Sequence, residues 1–488
     1  MKSKRFRARV WHKWLGLIVA LFVLMFCVSG VILNHPSVFV HSDVPSTWMP
    51  EDYHYHQWNR GLLRGSVPWR GHVLVYGSGG VYLTDSLGRQ FDEFNTGLPS
   101  GAESRNIRAM AVMPSQRLFA VSAYGLYEYS GWKRWSRVEV SPRSGRLADL
   151  AVRGDTLVVV SRSHLYVALP PYRHFRQVAL PAAPGMDRRV SLFSTVWQLH
   201  SGALFGTPGR YVVDAVAVVL ALLVLSGLAG WIFPHCGRRL SRGCRHLLSW
   251  HNRVGRLTLF FTLLLCLSGW MLRPPALLTI ARGRIPALPM SAMDSPNPWN
   301  DHLRLLRYDA RQGDWLLSTS EGMFSLPGLG DRPQRVDGAP PVSVMGANVM
   351  RQNARGEWMV GSFSGLFVWN RSTGRVADYF HPKVPVQDHG VPMSLHPISG
   401  YSDDFHGKTV VADYRRGTTS LIMPQRFASL PMSLRAVALE VHTGRVFTFL
   451  GRGTAFYVGV IGLAVGLCLV TGWRRRTKRR HRTKTVEE

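Results

Sequence analysis

The chain has 488 residues and is strongly basic, because 59 Lys and Arg stand against 29 Asp and Glu and give a net charge of +30. The densest basic stretches flank long apolar runs, and no nucleic-acid recognition motif accompanies them. The charge therefore favours contact with anionic lipid over nucleic-acid binding. None of the 5 cysteines lies in the two large regions between the apolar runs, which excludes disulfides there.

Four apolar runs are long enough to cross a bilayer, which needs ~20 residues of helix. They cover residues 14–33, 211–233, 254–272 and 455–473. The first follows basic residues, as a signal peptide would, but it lacks a small-x-small cleavage site. We therefore predict four transmembrane helices, of which the first is a permanent anchor.

The basic residues predict the orientation of these helices. Segments 1–13, 234–253 and 474–488 hold six, five and eight Lys or Arg. Basic loops stay on the cytoplasmic side, so both termini and the middle loop are predicted to be cytoplasmic. Residues 34–210 and 273–454 are then exported, which predicts a multi-pass membrane protein with an exported head.

The exported regions repeat a β-hairpin pattern, in which two strands flank a polar turn such as those near Gly80, Gly125 and Ser163. The copies cover residues 72–85, 118–130, 157–169, 315–327, 358–370 and, more weakly, 409–423. Repeats of roughly 40–50 residues with several short strands are typical of propeller blades. Three copies in each region predict one all-β head, a propeller of about six blades; two smaller β domains are the alternative.

The helices themselves derive from an internal duplication. Residues 9–33 return at 248–272 with an offset of 239, and the lead-in 198–210 returns at 440–452 with an offset of 242. The fold class is thus a four-helix membrane bundle, built from a duplicated two-helix unit, with the exported all-β head. The predicted domains are 1–33 (amino terminus and first span), 34–199 (first β region), 200–233 (second span with its lead-in), 234–253 (cytoplasmic loop), 254–272 (third span), 273–439 (second β region), 440–473 (fourth span with its lead-in) and 474–488 (basic tail).

One histidine lies at the start of each helix. The duplication superposes His12 on His251, at the predicted cytoplasmic ends, and His200 on His442, at the exported ends. Two histidines at equal depth on two helices can supply both axial nitrogens of one haem iron. The sequence therefore predicts two bis-histidine haems, one near each membrane face. The alternative is that each histidine is an interfacial residue or a helix cap.

Four further residues are candidates for the same sites. Arg210, Arg253 and Arg452 lie where a guanidinium could bind a haem propionate, whose carboxylate it matches with two hydrogen bonds. His35 has no counterpart in the duplication and is a reserve haem ligand. These residues are predicted to bind the cofactor, and no residue is predicted to be catalytic.

The motifs resemble a known family. The H-x-x-x-G start of the first and third helices, the S-G near their far ends and the LHSG…FG…GR lead-in are similar to the PepSY-associated transmembrane-helix proteins. That family includes inner-membrane haem-b proteins that reduce ferric siderophores. The resemblance implies that His12, His251, His200 and His442 ligate haem and that electrons cross the membrane outward.

The predicted function is a haem-dependent electron-transfer enzyme of iron uptake, which reduces a ferric siderophore or another Fe(III) chelate in the periplasm. A cytoplasmic reductase or a quinol would donate the electrons, because the chain lacks the glycine fingerprint of a nucleotide-binding site. Bis-histidine ligation suits electron transfer, since it leaves no open position on the iron. The alternatives are a non-enzymatic, membrane-anchored propeller that binds a partner, and a quinone-linked haem oxidoreductase that is not specific for iron.

Overall fold

The structure is a computed structural model that describes residues 2–130, 133–141, 145–233, 238–281, 283–343, 345–386 and 394–473. The chain forms two compact units. A helical unit contains Met1–Phe39, Arg188–Asp294 and Leu434–Glu488, and a β unit contains Val40–Asp187 and Ser295–Ser433. The predicted basic tail, 474–488, lies outside the described residues.

The helical unit contains the apolar runs. Its helices are α1 (Lys2–Asn34), α2 (Leu192–Ser201), α3 (Gly206–Ile232), α4 (Arg238–Leu257), α5 (Leu259–Met271), α6 (Ala276–Ile280), α7 (Leu434–His442) and α8 (Thr454–Trp473). Among the described residues, three helices are long and apolar enough to cross a membrane: Ala8–Asn34, Ala203–Ile232 and Phe456–Trp473. Many of their apolar side chains are exposed, as lipid contact requires; Ile18 and Leu21 are more than half exposed.

The predicted third span, 254–272, is not a straight helix. His246–Leu257 and Leu259–Met271 meet at an angle of 64°, so the described residues contain up to four spans if this bent pair is one of them. At the bend, the Thr258 hydroxyl donates a hydrogen bond to the Val254 carbonyl (3.0 Å) and the Thr262 hydroxyl donates to the Thr258 carbonyl (3.1 Å). Such bonds from a threonine to the preceding turn bend helices, and the apolar pattern carries no sign of them.

The β unit is built from antiparallel sheets of consecutive strands. The described residues form five four-stranded sheets (β2 to β5, β6 to β9, β10 to β13, β16 to β19 and β20 to β23) and the two-stranded sheets β24–β25 and β1–β26, with β14–β15 in the helical unit. The strands are β1 (Asp43–Val44), β2 (Gly65–Trp69), β3 (His72–Gly77), β4 (Gly80–Thr84), β5 (Phe91–Glu93), β6 (Ile107–Val112), β7 (Leu118–Ser122), β8 (Leu126–Ser130), β9 (Arg134–Val138), β10 (Leu147–Arg153), β11 (Thr156–Ser161), β12 (Leu165–Ala168), β13 (Arg176–Val178), β14 (Arg189–Ser191), β15 (Arg284–Pro286), β16 (Leu303–Asp309), β17 (Asp314–Thr319), β18 (Gly322–Leu326), β19 (Gln334–Arg335), β20 (Ala347–Gln352), β21 (Trp358–Ser362), β22 (Gly365–Asn370), β23 (Arg375–Asp378), β24 (Ile398–Phe405), β25 (Lys408–Asp413) and β26 (Met432–Ser433).

Five of the six predicted hairpins are confirmed as the central strands of the four-stranded sheets. A hydroxyl at the end of the first strand of the hairpin fixes most of the turns: the Ser161 Oγ, for example, accepts hydrogen bonds from the backbone N–H of Ser163 and His164. The weak copy at 409–423 is wrong in its second half. The first half forms β25, which pairs with β24 and not with a following strand. In the second half, the Thr418 N–H donates to the Gln57 carbonyl outside any sheet.

Hydrophobic clusters join each sheet to the next. One cluster packs Val158 of the first β region against Leu317 of the second, and another packs Val75 of the first sheet against Val410 of the last. All of these side chains are fully buried. The two β regions therefore share one core within a single compact unit.

Candidate functional site

His200 and His442 end two matching short helices. Their ring centres are 6.0 Å apart, and the ring planes make an angle of 57°. Each histidine is followed two residues later by a glycine with positive φ, Gly202 (75°) and Gly444 (72°). Glycine adopts this left-handed conformation without strain and so stops each helix at its histidine. The HSG and HTG motifs thus place both imidazoles at helix ends.

One ring nitrogen of His200 is hydrogen-bonded. Its Nδ1 lies 3.1 Å from the Ser268 Oγ, and that hydroxyl is also placed to donate to the Leu265 carbonyl (3.2 Å). With the hydroxyl hydrogen on the carbonyl, the oxygen accepts from Nδ1–H, and this tautomer has its lone pair on Nε2. A fixed neutral tautomer with a hydrogen bond at the other nitrogen is the usual state of a metal-ligating histidine.

His442 has the same arrangement. Its Nδ1 lies 3.0 Å from the Ser29 Oγ, which donates to the Met25 carbonyl at 2.5 Å. Burial is the main reason that the pKa of His200 falls to about 4 and that of His442 to about 3; His200 lowers the latter further, and the Arg273 guanidinium lowers both. Both rings are therefore neutral at physiological pH, as ligation requires.

The second pair consists of His12 and His251. Their ring centres are 6.1 Å apart, with an angle of 72° between the planes. The Nδ1 of His251 lies 2.9 Å from the Ser226 Oγ, which donates to a carbonyl of its own helix (3.0 Å), and the Nδ1 of His12 donates to the Cys468 carbonyl (2.9 Å). Both rings are thus held in the same tautomer as those of the first pair.

Each of the four rings lies against a glycine of a neighbouring helix. A Cβ atom placed on Gly269 would come within 2.8 Å of the His200 Cε1, and the closest approaches at Gly472, Gly30 and Gly227 are 3.0, 3.4 and 3.5 Å. A larger residue at Gly269 would displace the His200 ring. At Gly472, the next closest position, an added Cβ would also be in unusually tight contact with the His12 ring. The glycines of the S-G motifs therefore allow the close approach of the imidazoles.

The ring-centre separations of both pairs are close to that expected for two imidazoles on one metal. Two imidazoles that bind a metal through Nε2 at ~2.0–2.1 Å place their ring centres roughly 6 Å apart, which matches the observed 6.0 and 6.1 Å. Within the described residues, no group of three or more His, Cys, Asp or Glu could hold a metal ion. Two imidazole donors are the number that a bis-histidine haem requires from the protein.

The remaining predicted residues lie outside the two pairs. The His35 Nε2 is 2.6 Å from the Asp214 Oδ2, and its ring stacks on Tyr211. Arg210 and Arg253 are exposed. The side chain of Arg452 lies outside the described part of the structure. Their role in cofactor binding stays a prediction.

Sequence analysis missed one cation near the His200–His442 pair. Arg273 follows Gly269 by four residues and is half-buried. Burial, first, and the Arg445 charge lower the pKa of Arg273 to about 10, whereas Glu440 raises it. The duplication gave no signal for this arginine, because the offset of 239 places Asn34 at the matching position.

Replacing Gly269 by alanine is expected to displace the His200 ring, because the new Cβ would lie 2.8 Å from Cε1. The haem content of the purified protein should fall from two equivalents towards one. Gly466→Ala is the matched control, since a Cβ at Gly466 meets no atom within 4 Å. Equal haem content in the two variants, measured by the pyridine haemochrome assay, would show that the close approach at Gly269 is dispensable.

Two solved structures are similar to this chain. The chain resembles, at 10% identity and a TM-score of 0.37, the extracellular domain of a hybrid two-component system from Bacteroides thetaiotaomicron; the match covers 73% of this chain and about a third (32%) of that one. A protein of unknown function from the same organism matches at 10% identity and a TM-score of 0.37, over 75% of this chain and 70% of the other. Both similarities are weak.

No curated protein matches the sequence at a significant level. The profile of the PepSY-associated TM region, by contrast, matches residues 9–479, which include both histidine pairs and the whole β unit. The apolar helices described above agree with a membrane protein. The chain belongs to the family of the PepSY-associated TM region.

Proposed function

We infer that the helical unit binds two b-type haems, one between His12 and His251 and one between His200 and His442, and transfers electrons across the membrane to an Fe(III) chelate. One observation carries this proposal: two separate pairs of imidazoles, each with ring centres about 6 Å apart, have every Nδ1 engaged in a hydrogen bond. An interfacial or capping histidine needs neither a partner ring nor a fixed tautomer.

The residues of the chain would hold and tune such a group. Haem iron with two imidazole ligands exchanges single electrons and has no open coordination position. The serine hydroxyls and the Cys468 carbonyl orient the rings through Nδ1, and outer partners of this kind usually change metal affinity 10–100-fold. The Arg273 guanidinium lies near the His200–His442 pair, where it would bind a propionate and replace the exposed Arg210 in that role.

The β unit belongs in this proposal as a head for the acceptor. Five four-stranded sheets and β24–β25, each joined to the next by a buried cluster, support a propeller of six blades. The basic segments support four spans with both termini in the cytoplasm and the head in the periplasm of an inner membrane. Electrons from a cytoplasmic reductase or a quinol would then leave on the outer side.

A ferric siderophore is the acceptor that this arrangement suits. Siderophores offer hard oxygen donors, which hold Fe(III) far better than Fe(II), so that one electron loosens the complex. An outward electron path supplies this electron where the chelate arrives. The family resemblance supports the same substrate class.

The first test is the colour of the protein. Full-length protein purified from haem-replete cells should be red, with a Soret band, paired α and β bands on reduction and two haems per chain in the pyridine haemochrome assay. A colourless, folded preparation would refute the proposal.

The second test is the electron acceptor. Reduced protein in vesicles should be reoxidised by an external ferric chelate. Reoxidation by a quinone alone would favour the oxidoreductase that is not specific for iron.

A further inference from the structure

A cluster of arginines lies where the first strands of neighbouring sheets begin in the β unit. Arg64 immediately precedes β2, Arg108 is the second residue of β6, Arg146 immediately precedes β10 and Arg304 is the second residue of β16. Arg162, in the turn after β11, joins them. These five residues are called the arginine cluster below.

Hydrogen bonds show that members from successive sheets are neighbours. The Arg108 Nη1 donates to the Leu147 carbonyl at 3.2 Å, beside Arg146. The Arg162 N–H donates to the Arg146 carbonyl at 3.0 Å, and the Arg162 carbonyl accepts from the Leu303 N–H at 2.9 Å, beside Arg304. The cluster is therefore continuous across three sheets.

A repeated irregularity of the backbone lies at two members of the cluster. The register of β6 with β7 shifts between Ile107 and Ala109, and that of β16 with β17 shifts between Leu303 and Leu305. Arg108 and Arg304 are the residues left without a partner at these bulges. A bulge redirects a side chain out of the ladder, and the Arg108 guanidinium accordingly reaches the Leu147 carbonyl of the next sheet.

The positive charge of the cluster is not balanced. In the described part of the chain, its five guanidinium groups face three carboxylates: Glu103 pairs with Arg146 (3.2 Å), Asp301 with Arg162 (2.8 Å), and Glu321 lies near Arg304. Arg64, Arg108 and Arg304 have no carboxylate within ion-pair distance among the described residues. Burial, and then the charges of neighbouring arginines, lower the pKa of Arg108 to about 9.

Three N–H donors of the cluster are buried and unused. The Nε atoms of Arg64, Arg146 and Arg304 are shielded from solvent and have no hydrogen-bond partner in the structure. A buried donor without an acceptor costs about 1–3 kcal/mol. The neighbouring pairs Arg307–Asp149 and Arg351–Asp404 show the opposite situation, because each guanidinium there is matched by a carboxylate.

We propose that the arginine cluster is a binding site for a small polyanion, of the class of a polycarboxylate or an anionic metal chelate. Two or more carboxylate groups would supply acceptors for the unused Nε–H donors and would neutralise the surplus guanidinium charge. Arginine suits this role because its planar fork matches a carboxylate. The site lies wholly in the β unit and needs no haem; as a site for a metal chelate it rests on the function proposed above, in which the β unit receives the acceptor.

Citrate is the probe for this site, and triethyl citrate, which has the same framework without the charges, is the matched neutral ligand. Isothermal titration calorimetry on the full-length protein in a neutral detergent should detect citrate and not the triester. Arg108→Gln and Arg304→Gln should each weaken citrate binding about ten-fold or more, the expected cost of one charge-assisted hydrogen bond. Arg176→Gln removes an exposed arginine of β13 and should leave binding unchanged.

A wild-type measurement keeps the test decisive if a variant does not fold. Raising the salt concentration should weaken citrate binding steeply, because salt screens the guanidinium charge. Absence of citrate binding, equal binding of the triester, or equal effects of Arg176→Gln and Arg304→Gln would overturn the proposal. Citrate binding by a haem-free preparation would support this site while refuting electron transfer, so the two proposals fail separately.

Discussion

His200→Ala is expected to remove one of two haems and to leave the other in place. The substitution takes away one axial nitrogen of the His200–His442 pair and leaves its partner, 6.0 Å from the lost ring centre, without an opposing ligand. The His12–His251 pair lies on other helices, α1 and α4, and keeps its geometry. Reduction of an external ferric chelate should fall by more than about 100-fold, because changes to outer partners alone cost 10–100-fold in affinity.

The pyridine haemochrome assay and the reduced-minus-oxidised spectrum measure this loss. His35→Ala is the matched control, since His35 is hydrogen-bonded to Asp214 and belongs to neither pair; it should retain two haems. Loss of both haems, or of neither, in His200→Ala would contradict the pairing. Loss of a haem in His35→Ala would show that His35, the reserve ligand of the sequence analysis, binds haem.

Arg307→Met is expected to destabilise the β unit by about 3–5 kcal/mol, the usual cost of breaking a buried ion pair. Asp149 has no exposed surface and accepts hydrogen bonds from the Arg307 Nη1 and from the Leu306 N–H. Removing the guanidinium leaves a carboxylate buried without a counter-charge. Methionine keeps most of the length of the side chain, so that loss of charge dominates the effect.

Denaturation followed by tryptophan fluorescence measures this change, because Trp58, Trp135 and Trp315 are all buried in the β unit. The pair Arg137–Glu139 (3.1 Å) is exposed, so Arg137→Met should cost less than about 1 kcal/mol. Adding Asp149→Asn to Arg307→Met should recover part of the stability, since it removes the orphaned charge. Equal losses in the free energy of unfolding for Arg307→Met and Arg137→Met would show that the buried pair contributes no more to stability than the exposed one.

The central hairpins of the sheets could be predicted because two signals coincide in them. Alternating β-formers in β7 and β8, for instance, flank a turn at Gly125. The outer strands lack such a signal: β9 (Arg134–Val138) is mostly polar and β5 (Phe91–Glu93) has three residues. Their strand conformation depends on backbone pairing with an inner neighbour, which local sequence does not encode.

The histidine pairs could be predicted because the duplication acts as an internal alignment. It superposed His12 on His251 and also repeated Ser29 at Ser268, although the role of the serines as Nδ1 acceptors emerges only from the three-dimensional contacts. The features that it missed break the symmetry. Arg273 has no counterpart, and the bend at Thr258 arises from hydroxyl bonds that apolar periodicity does not register.

The shared core of the two β regions constrains how the protein is made. The cluster containing Val158 is completed by Leu317, and the cluster containing Val75 is completed by Val410. More than 100 residues of the helical unit are synthesised between the two β regions. The apolar sheet faces of the first region therefore stay uncovered until the second region has been made. Such exposed faces aggregate readily. We therefore expect a chaperone that covers the nascent first β region to raise the yield of folded protein.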